Sequence, residues 1–128
     1  GHCACLAAID LRARAIVAFT RSGLTARLIS KYHPPLPIIA LSPDPRTCQR
    51  LPLLWGVRPV LTEAIADTDQ MLRQVDGVLL RSGLVQRGDL VVITAGLPSV
   101  ARQPTNVMKV HRVGESDSWG APAPQPPR

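Results

Sequence analysis

Three short runs that are apolar almost from end to end, Ala15–Thr20, Ile38–Leu41 and Leu90–Thr94, constrain this chain more than any other feature. A strand with one face in water alternates apolar and polar residues, whereas a strand covered on both faces does not. Runs of this length, bounded by turn signals, fit strands buried inside a parallel sheet, and such a sheet needs helices on both of its faces.

The segments between these runs supply the helices. Leu6, Ile9 and Ala13 recur at helical spacing within Cys3–Arg14, and Leu24, Leu28 and Tyr32 mark one face of a second helix. Pro34, Pro35 and Pro37 stop that helix. Ser42–Pro45 reads as a turn into a short helix through Leu51, with Pro52 at its end or at a kink. Val57–Leu61 is a further strand, and its Pro59 places it at a sheet edge or a strand end. Asp67 and Gln70 have capping-box spacing ahead of a helix whose apolar face runs through Met71 or Leu72, Val75 and Leu79, with Ser82 one turn on.

Gly83, Gly88 and Asp89 lead into Leu90–Thr94, and Ala95–Thr105 is a loop. In Asn106–Val113 the residues Val107, Lys109, His111 and Val113 alternate with Met108, Val110 and Arg112, so one face of a last strand is wetter than the other. The expectation is a three-layer α/β domain over residues 3–113, with a mostly parallel, five-stranded mixed sheet flanked by helices and a final antiparallel edge strand. Residues 114–128 read as a flexible proline-rich tail, too poor in apolar residues to build a core.

A length of 128 residues fits one domain with one core. With aromatics at 3%, that core is built from Leu, Val, Ile and Ala, and recognition by stacking bases on aromatic platforms is disfavoured. The formal charge of +6 points to an anionic partner, and Lys31 and Lys109 are the only lysines, so arginine, suited to bidentate phosphate contacts, supplies most of it. No nucleic-acid motif accompanies the charge. Cys3, Cys5 and Cys48 cannot all pair, and Cys3 and Cys5 are too close for a zinc knuckle, which needs about two to four residues between ligands. There is no signal-peptide pattern and no apolar run near the roughly 18 residues of a membrane span. A cytoplasmic protein with reduced thiols is expected.

Thr20-Arg21-Ser22-Gly23-Leu24-Thr25 links a buried strand to a helix. Hydroxyls on Thr20, Ser22 and Thr25 can donate to phosphate oxygens, Gly23 lets the backbone approach an anion, and Arg21 or Arg27 can add charge. The same residues also serve a plain helix cap and turn. Neither P-loop nor dinucleotide-fingerprint spacing is present. A second loop, carrying Gly96, Arg102, Gln103 and Thr105, follows another strand and can form the opposite side of a phosphate-sugar crevice. Catalytic candidates are thin. Asp10, Asp44, Glu63, Asp67, Asp69, Asp76 and Asp89 form no evident carboxylate pair, His33 and His111 have no evident metal partner, and Cys48 has no neighbouring His in sequence. No catalytic residue, metal site or cofactor is assigned to this domain.

The stretches Ala15–Arg27, Ser30–Pro34, Pro37–Ala40, Trp55–Val60, Gly83–Asp89 and Thr105–Val110, in this order, resemble the C-terminal domain of pyruvate kinase from Cys3 to Val113. The resemblance implies that Thr20, Ser22 and Thr25 line the phosphate pocket of an allosteric effector, that Gly23 shapes the loop, and that Gly96–Thr105 forms the opposing wall. Val100–Pro104 departs from the more glycine-rich form of the family. It further implies a non-catalytic, subunit-contact role in a homotetramer. The parent enzyme transfers phosphoryl from phosphoenolpyruvate to ADP in a separate barrel domain that uses magnesium and potassium. The expected partners are a phosphorylated small molecule, that catalytic domain and other subunits, with no nucleic acid or membrane. A free-standing phosphometabolite sensor is the alternative.

Overall fold

The computed structural model describes residues 2–63, 68–95 and 107–114. Its elements run in the order α1 (His2–Asp10), β1 (Ala15–Phe19), α2 (Leu24–Ser30), β2 (Ile38–Ser42), α3 (Pro45–Arg50), a 3-10 turn (Leu51–Leu53), β3 (Val57–Leu61), α4 (Thr68–Ser82), β4 (Leu90–Ala95) and β5 (Val107–Arg112). The strands form one sheet in the order β3-β2-β1-β4-β5. β1, β2, β3 and β4 are mutually parallel, while β5 runs antiparallel to β4 along one edge. The expected fold class is the observed one. Pro59 lies in β3, at the opposite edge, where a missing backbone donor does least harm.

Every residue of β1 and β2 is buried, as the unbroken apolar runs require. Their side chains alternate between two cores. Ala15, Val17, Phe19, Ile39, Leu41, Val91 and Ile93 face α4 and pack on Met71, Leu72, Val75 and Leu79. Ile16, Ala18, Ile38, Ala40 and Val92 face the other way, onto Ala4, Cys5 and Ala8 of α1, Ala26 and Ile29 of α2, and Leu51. The sheet is thus the middle of three layers, and its two faces account for the lack of polar alternation in its central strands.

Three helix faces differ from the simple spacing pattern. In α1 the buried residues are Ala4, Cys5 and Ala8, while Leu6 and Ile9 are exposed. In α2 they are Ala26, Ile29 and Ser30, while Leu24, Leu28 and Tyr32 are exposed. Small residues on both surfaces, Ala4 and Ala8 of α1 and Ala26 of α2 with Ala18 and Ala40 of the sheet, let the helices approach closely, and Ile29 with Ile16 and Ile38 fills the rest of this core. In α4 the Met71-Leu72-Val75-Leu79 face is buried as expected, but Ser82 is exposed at the helix end. The capping residue expected at Asp67 lies outside the described residues, as does the tail beyond Gly114.

The last strand carries its polar side inward. His111 and Val113 are buried, whereas Met108, Val110 and Arg112 are exposed. His111 reaches the core because Asp76 of α4 meets it there.

Candidate functional site

Strand order decides where a crevice can form. The chain leaves β1 and adds β2 and then β3 on one side, and later returns to place β4 on the other side of β1. The crossovers therefore diverge between β1 and β4, and beyond the carboxyl ends of two such strands an α/β sheet opens a ligand crevice. The register sets Ala18 beside Thr94, so the carboxyl ends of β1 and β4 lie side by side. Thr94 Oγ1 donates to the Val17 carbonyl at 3.4 Å and ties the two strands at that end.

The first of these loops is Thr20–Gly23, leading into α2. Thr20 is buried, and its Oγ1 accepts the Gly23 N–H at 2.9 Å. Ser22 is exposed, and its Oγ accepts the Leu24 N–H at 3.3 Å. A hydroxyl oxygen that accepts keeps its own hydrogen for donation, so both side chains retain a donor for an anion. Thr25 is half-buried and Arg21 is exposed. Gly23, at φ 92° and ψ −2°, is the N-cap of α2 and supplies no side-chain acceptor. The amides of the first turn have no acceptors within the helix, a general property of helix starts. α2 is only 7 residues long, so loop hydroxyls and individual N–H groups, rather than a large helix dipole, are what this end offers an anion.

Thr20, Arg21, Ser22, Gly23 and Thr25 are thus brought together at the divergence of the sheet. Gly96, Arg102, Gln103 and Thr105 lie outside the described residues.

The back of the loop is built by residues with no mark in the sequence. Thr47 Oγ1 of α3 donates to the Arg21 carbonyl at 2.6 Å, and Ser42 Oγ donates to the same oxygen at 3.4 Å. A Cβ at Gly23 would lie 3.3 Å from Leu51 Cδ2 and 3.4 Å from Thr47 Cγ2. Asp44-Pro45 announces the start of α3, and the Asp44 side chain does accept the Arg46 N–H at 2.9 Å. Nothing in the linear order, however, pairs Thr47 with Arg21. Only the parallel pairing of β1 with β2 brings them together.

The remaining polar candidates have structural partners. His33 stacks on Trp55, with ring centroids 4.7 Å apart and planes 9° from parallel. His111 Nε2 is 2.8 Å from Asp76 Oδ1. Asp89 accepts the Gln86 N–H at 2.8 Å and lies 3.9 Å from the Arg14 Nε. Asp10, Glu63 and Asp69 are exposed. The Cys48 thiol points to the Ser42 carbonyl at 3.8 Å; burial, and then the Asp44 charge, push its pKa up, the reverse of an activated nucleophile. Among the described residues no three of His, Cys, Asp and Glu gather as a metal site, and no helix is long and apolar enough to cross a membrane.

Residues 1–111 match the family model described as the pyruvate kinase alpha/beta domain. A pyruvate kinase of Staphylococcus epidermidis is 43% identical over 113 residues, covering 88% of this chain and 19% of that protein. One of Clostridium acetobutylicum is 41% identical over 109 residues, covering 85% of this chain and 23% of that protein. The crystal structure of a Cryptosporidium parvum pyruvate kinase superimposes with a TM-score of 0.77 at 29% identity, over 87% of this chain and 21% of that one. The chain thus spans about a fifth of the length of the curated relatives it matches. With its residues matched almost throughout and its sheet superimposed, this chain belongs to the pyruvate kinase alpha/beta domain family.

Proposed function

We propose that residues 3–113 act as the regulatory and subunit-contact domain of a pyruvate kinase, and that the 20–25 loop takes the phosphate of a phosphorylated small-molecule effector. The observation that carries this reading is the position of the Thr20–Thr25 loop at the divergence of the sheet, where the carboxyl ends of β1 and β4 lie side by side, with two hydroxyls of the loop still able to donate. Gly96, Arg102, Gln103 and Thr105 are the proposed opposing wall. The whole protein transfers phosphoryl from phosphoenolpyruvate to ADP in a catalytic domain, where magnesium and potassium act. The effector shifts that activity by binding two global arrangements of the subunits with different affinity. The setting is cytoplasmic, in keeping with three free cysteines and no disulfide among the described residues.

Subunit contact is supported by where the larger apolar side chains lie. Leu6 and Ile9 of α1, Leu28 and Tyr32 of α2, and Met108 and Val110 of β5 are all exposed, and β5 is an edge strand. Where outward apolar residues form a contiguous patch they mark a surface that another chain or domain covers.

The test is calorimetry of the 128-residue chain with glucose 6-phosphate and AMP, repeated on a combined Ser22→Ala and Thr25→Ala variant. Saturable binding by the parent chain and its loss in the variant, with the fold retained by circular dichroism, is the expected result. Equal affinity in both sinks the phosphate site. A coupled assay for pyruvate formation from phosphoenolpyruvate and ADP is expected to show no turnover by this chain alone, and reproducible turnover would overturn the non-catalytic reading.

A further inference from the structure

The Arg21 carbonyl of the 20–25 loop is gripped by hydroxyls from another part of the sheet, Thr47 Oγ1 at 2.6 Å and Ser42 Oγ at 3.4 Å. Thr47 is 1% exposed and Ser42 is fully buried. Ser42 Oγ also accepts the Asp44 N–H at 3.2 Å, and Asp44 caps α3, so the grip is continuous with the start of that helix. The Thr47 methyl and the Leu51 side chain fill the space beside Gly23. Hydroxyl and methyl of one threonine therefore meet two parts of the loop.

Direction follows from peptide geometry. A trans peptide points its C=O and the next N–H in opposite directions. With the Arg21 carbonyl turned onto α3, the Ser22 N–H is turned away from α3, and it meets no acceptor among the described residues. We infer that Thr47, supported by Ser42, is a positioning residue for the anion loop. It holds the Arg21–Ser22 peptide in the orientation that presents the Ser22 N–H, together with the Ser22 and Thr20 hydroxyls, to a phosphate group. This role rests on the phosphate reading of the 20–25 loop. Thr47 itself touches no ligand.

Thr47→Val keeps the shape and removes the donor; Thr47→Ser keeps the donor and removes the methyl. The test uses the full chain, with glucose 6-phosphate and AMP as probes and glucose and adenosine as phosphate-free controls. Affinity is read by calorimetry, and the amide resonances and hydrogen exchange of Ser22 and Gly23 by NMR, with Val17 as a core reference. The expected outcome is that Thr47→Val weakens phosphate binding about tenfold, in keeping with loss of one hydrogen bond to a partly buried carbonyl. It also shifts and deprotects the loop amides while Val17 stays protected, and Thr47→Ser returns both readouts to near the parent values. A merely structural threonine would lower stability without a selective change at Ser22 and Gly23.

Parent-like affinity and unchanged loop amides in Thr47→Val overturn the positioning role while leaving the phosphate site standing. Failure of the parent chain to bind either probe, or equal binding of the controls, overturns the phosphate site and with it the part of Thr47 in ligand affinity. If Thr47→Val does not fold, Ser42→Ala removes the longer of the two bonds. A graded loss of about twofold to threefold, with the same amide signature, supports the inference, and no change opposes it.

Discussion

His111 Nε2 of β5 lies 2.8 Å from Asp76 Oδ1 of α4, with the imidazole wholly buried and the carboxylate at the rim of the core. This bond fastens the antiparallel edge strand to the helix beneath it. His111 Nδ1 is buried with no partner among the described residues, so the ring depends on Asp76 for its hydrogen bonding. Asp76→Ala is expected to destabilise the domain by about 1–3 kcal/mol, the cost of stranding a buried polar group. Asp76→Asn, which keeps an acceptor oxygen, should recover much of that loss. Urea denaturation of the two variants checks both outcomes.

The inward face of α2 gives a second contrast. Ile29 is fully buried in the core that α1 and α2 form with the sheet, whereas Leu28, one residue earlier, is exposed. Ile29→Ala should cost about 2–5 kcal/mol as a core truncation. Leu28→Ala should stay within about 0.5 kcal/mol in the isolated chain. If Leu28 proves the costlier of the two by thermal unfolding, α2 packs on the sheet through its other face. A drop in self-association on Leu28→Ala, by sedimentation, would assign that side chain to a subunit contact.

Gly23 combines a left-handed backbone with close neighbours, since φ is 92° and an added Cβ would press on Leu51 and Thr47. Gly23→Ala is expected to cost about 1–2 kcal/mol from the backbone conformation alone. Phosphate binding should weaken along with stability, because a shift of the Gly23 backbone acts on the same loop whose Arg21 carbonyl Thr47 holds. Thermal unfolding and calorimetry on one preparation measure the two effects.

Asp44 has two separable roles. Its carboxylate caps α3, and its charge raises the Cys48 pKa in addition to the larger effect of burial. Asp44→Asn keeps a cap acceptor but removes the charge, so Cys48 alkylation at mildly alkaline pH should speed up while stability changes little. The sign follows from the thiolate being the reactive form: removing a neighbouring negative charge lowers the thiol pKa and raises the thiolate fraction at fixed pH. Burial remains, so the thiol stays above its ordinary value. Asp44→Ala removes the cap as well and should cost about 0.5–2 kcal/mol. Mass spectrometry of alkylation time courses separates Cys48 from the exposed Cys3 and buried Cys5. An unchanged Cys48 rate in Asp44→Asn would leave burial as the sole cause.

The sequence by itself determined the kind of sheet and the position of the 20–25 loop. Unbroken apolar runs at Ala15–Phe19 and Ile38–Leu41 can be buried only with both faces covered, which requires helices on two sides and parallel crossovers. Pro59 marked an edge or a strand end, and Thr20–Thr25 stood at a strand-to-helix turn whichever order the strands took. Tertiary structure decided the rest. Spacing alone put Leu24, Leu28 and Tyr32 on one stripe, but the stripe chosen for burial was Ala26 and Ile29, because small Ala26 lets α2 approach Ala18 and Ala40 closely while Ile29 fills the space left beside them. His111 went inward because Asp76 is there to receive it, a match between residues 35 apart. Thr47 reached Arg21 across 26 residues because β1 and β2 lie side by side. Local patterns fix which elements form; contacts between distant residues exist only once the strand order has been chosen, so the grip on the 20–25 loop had no trace in the chain read from end to end.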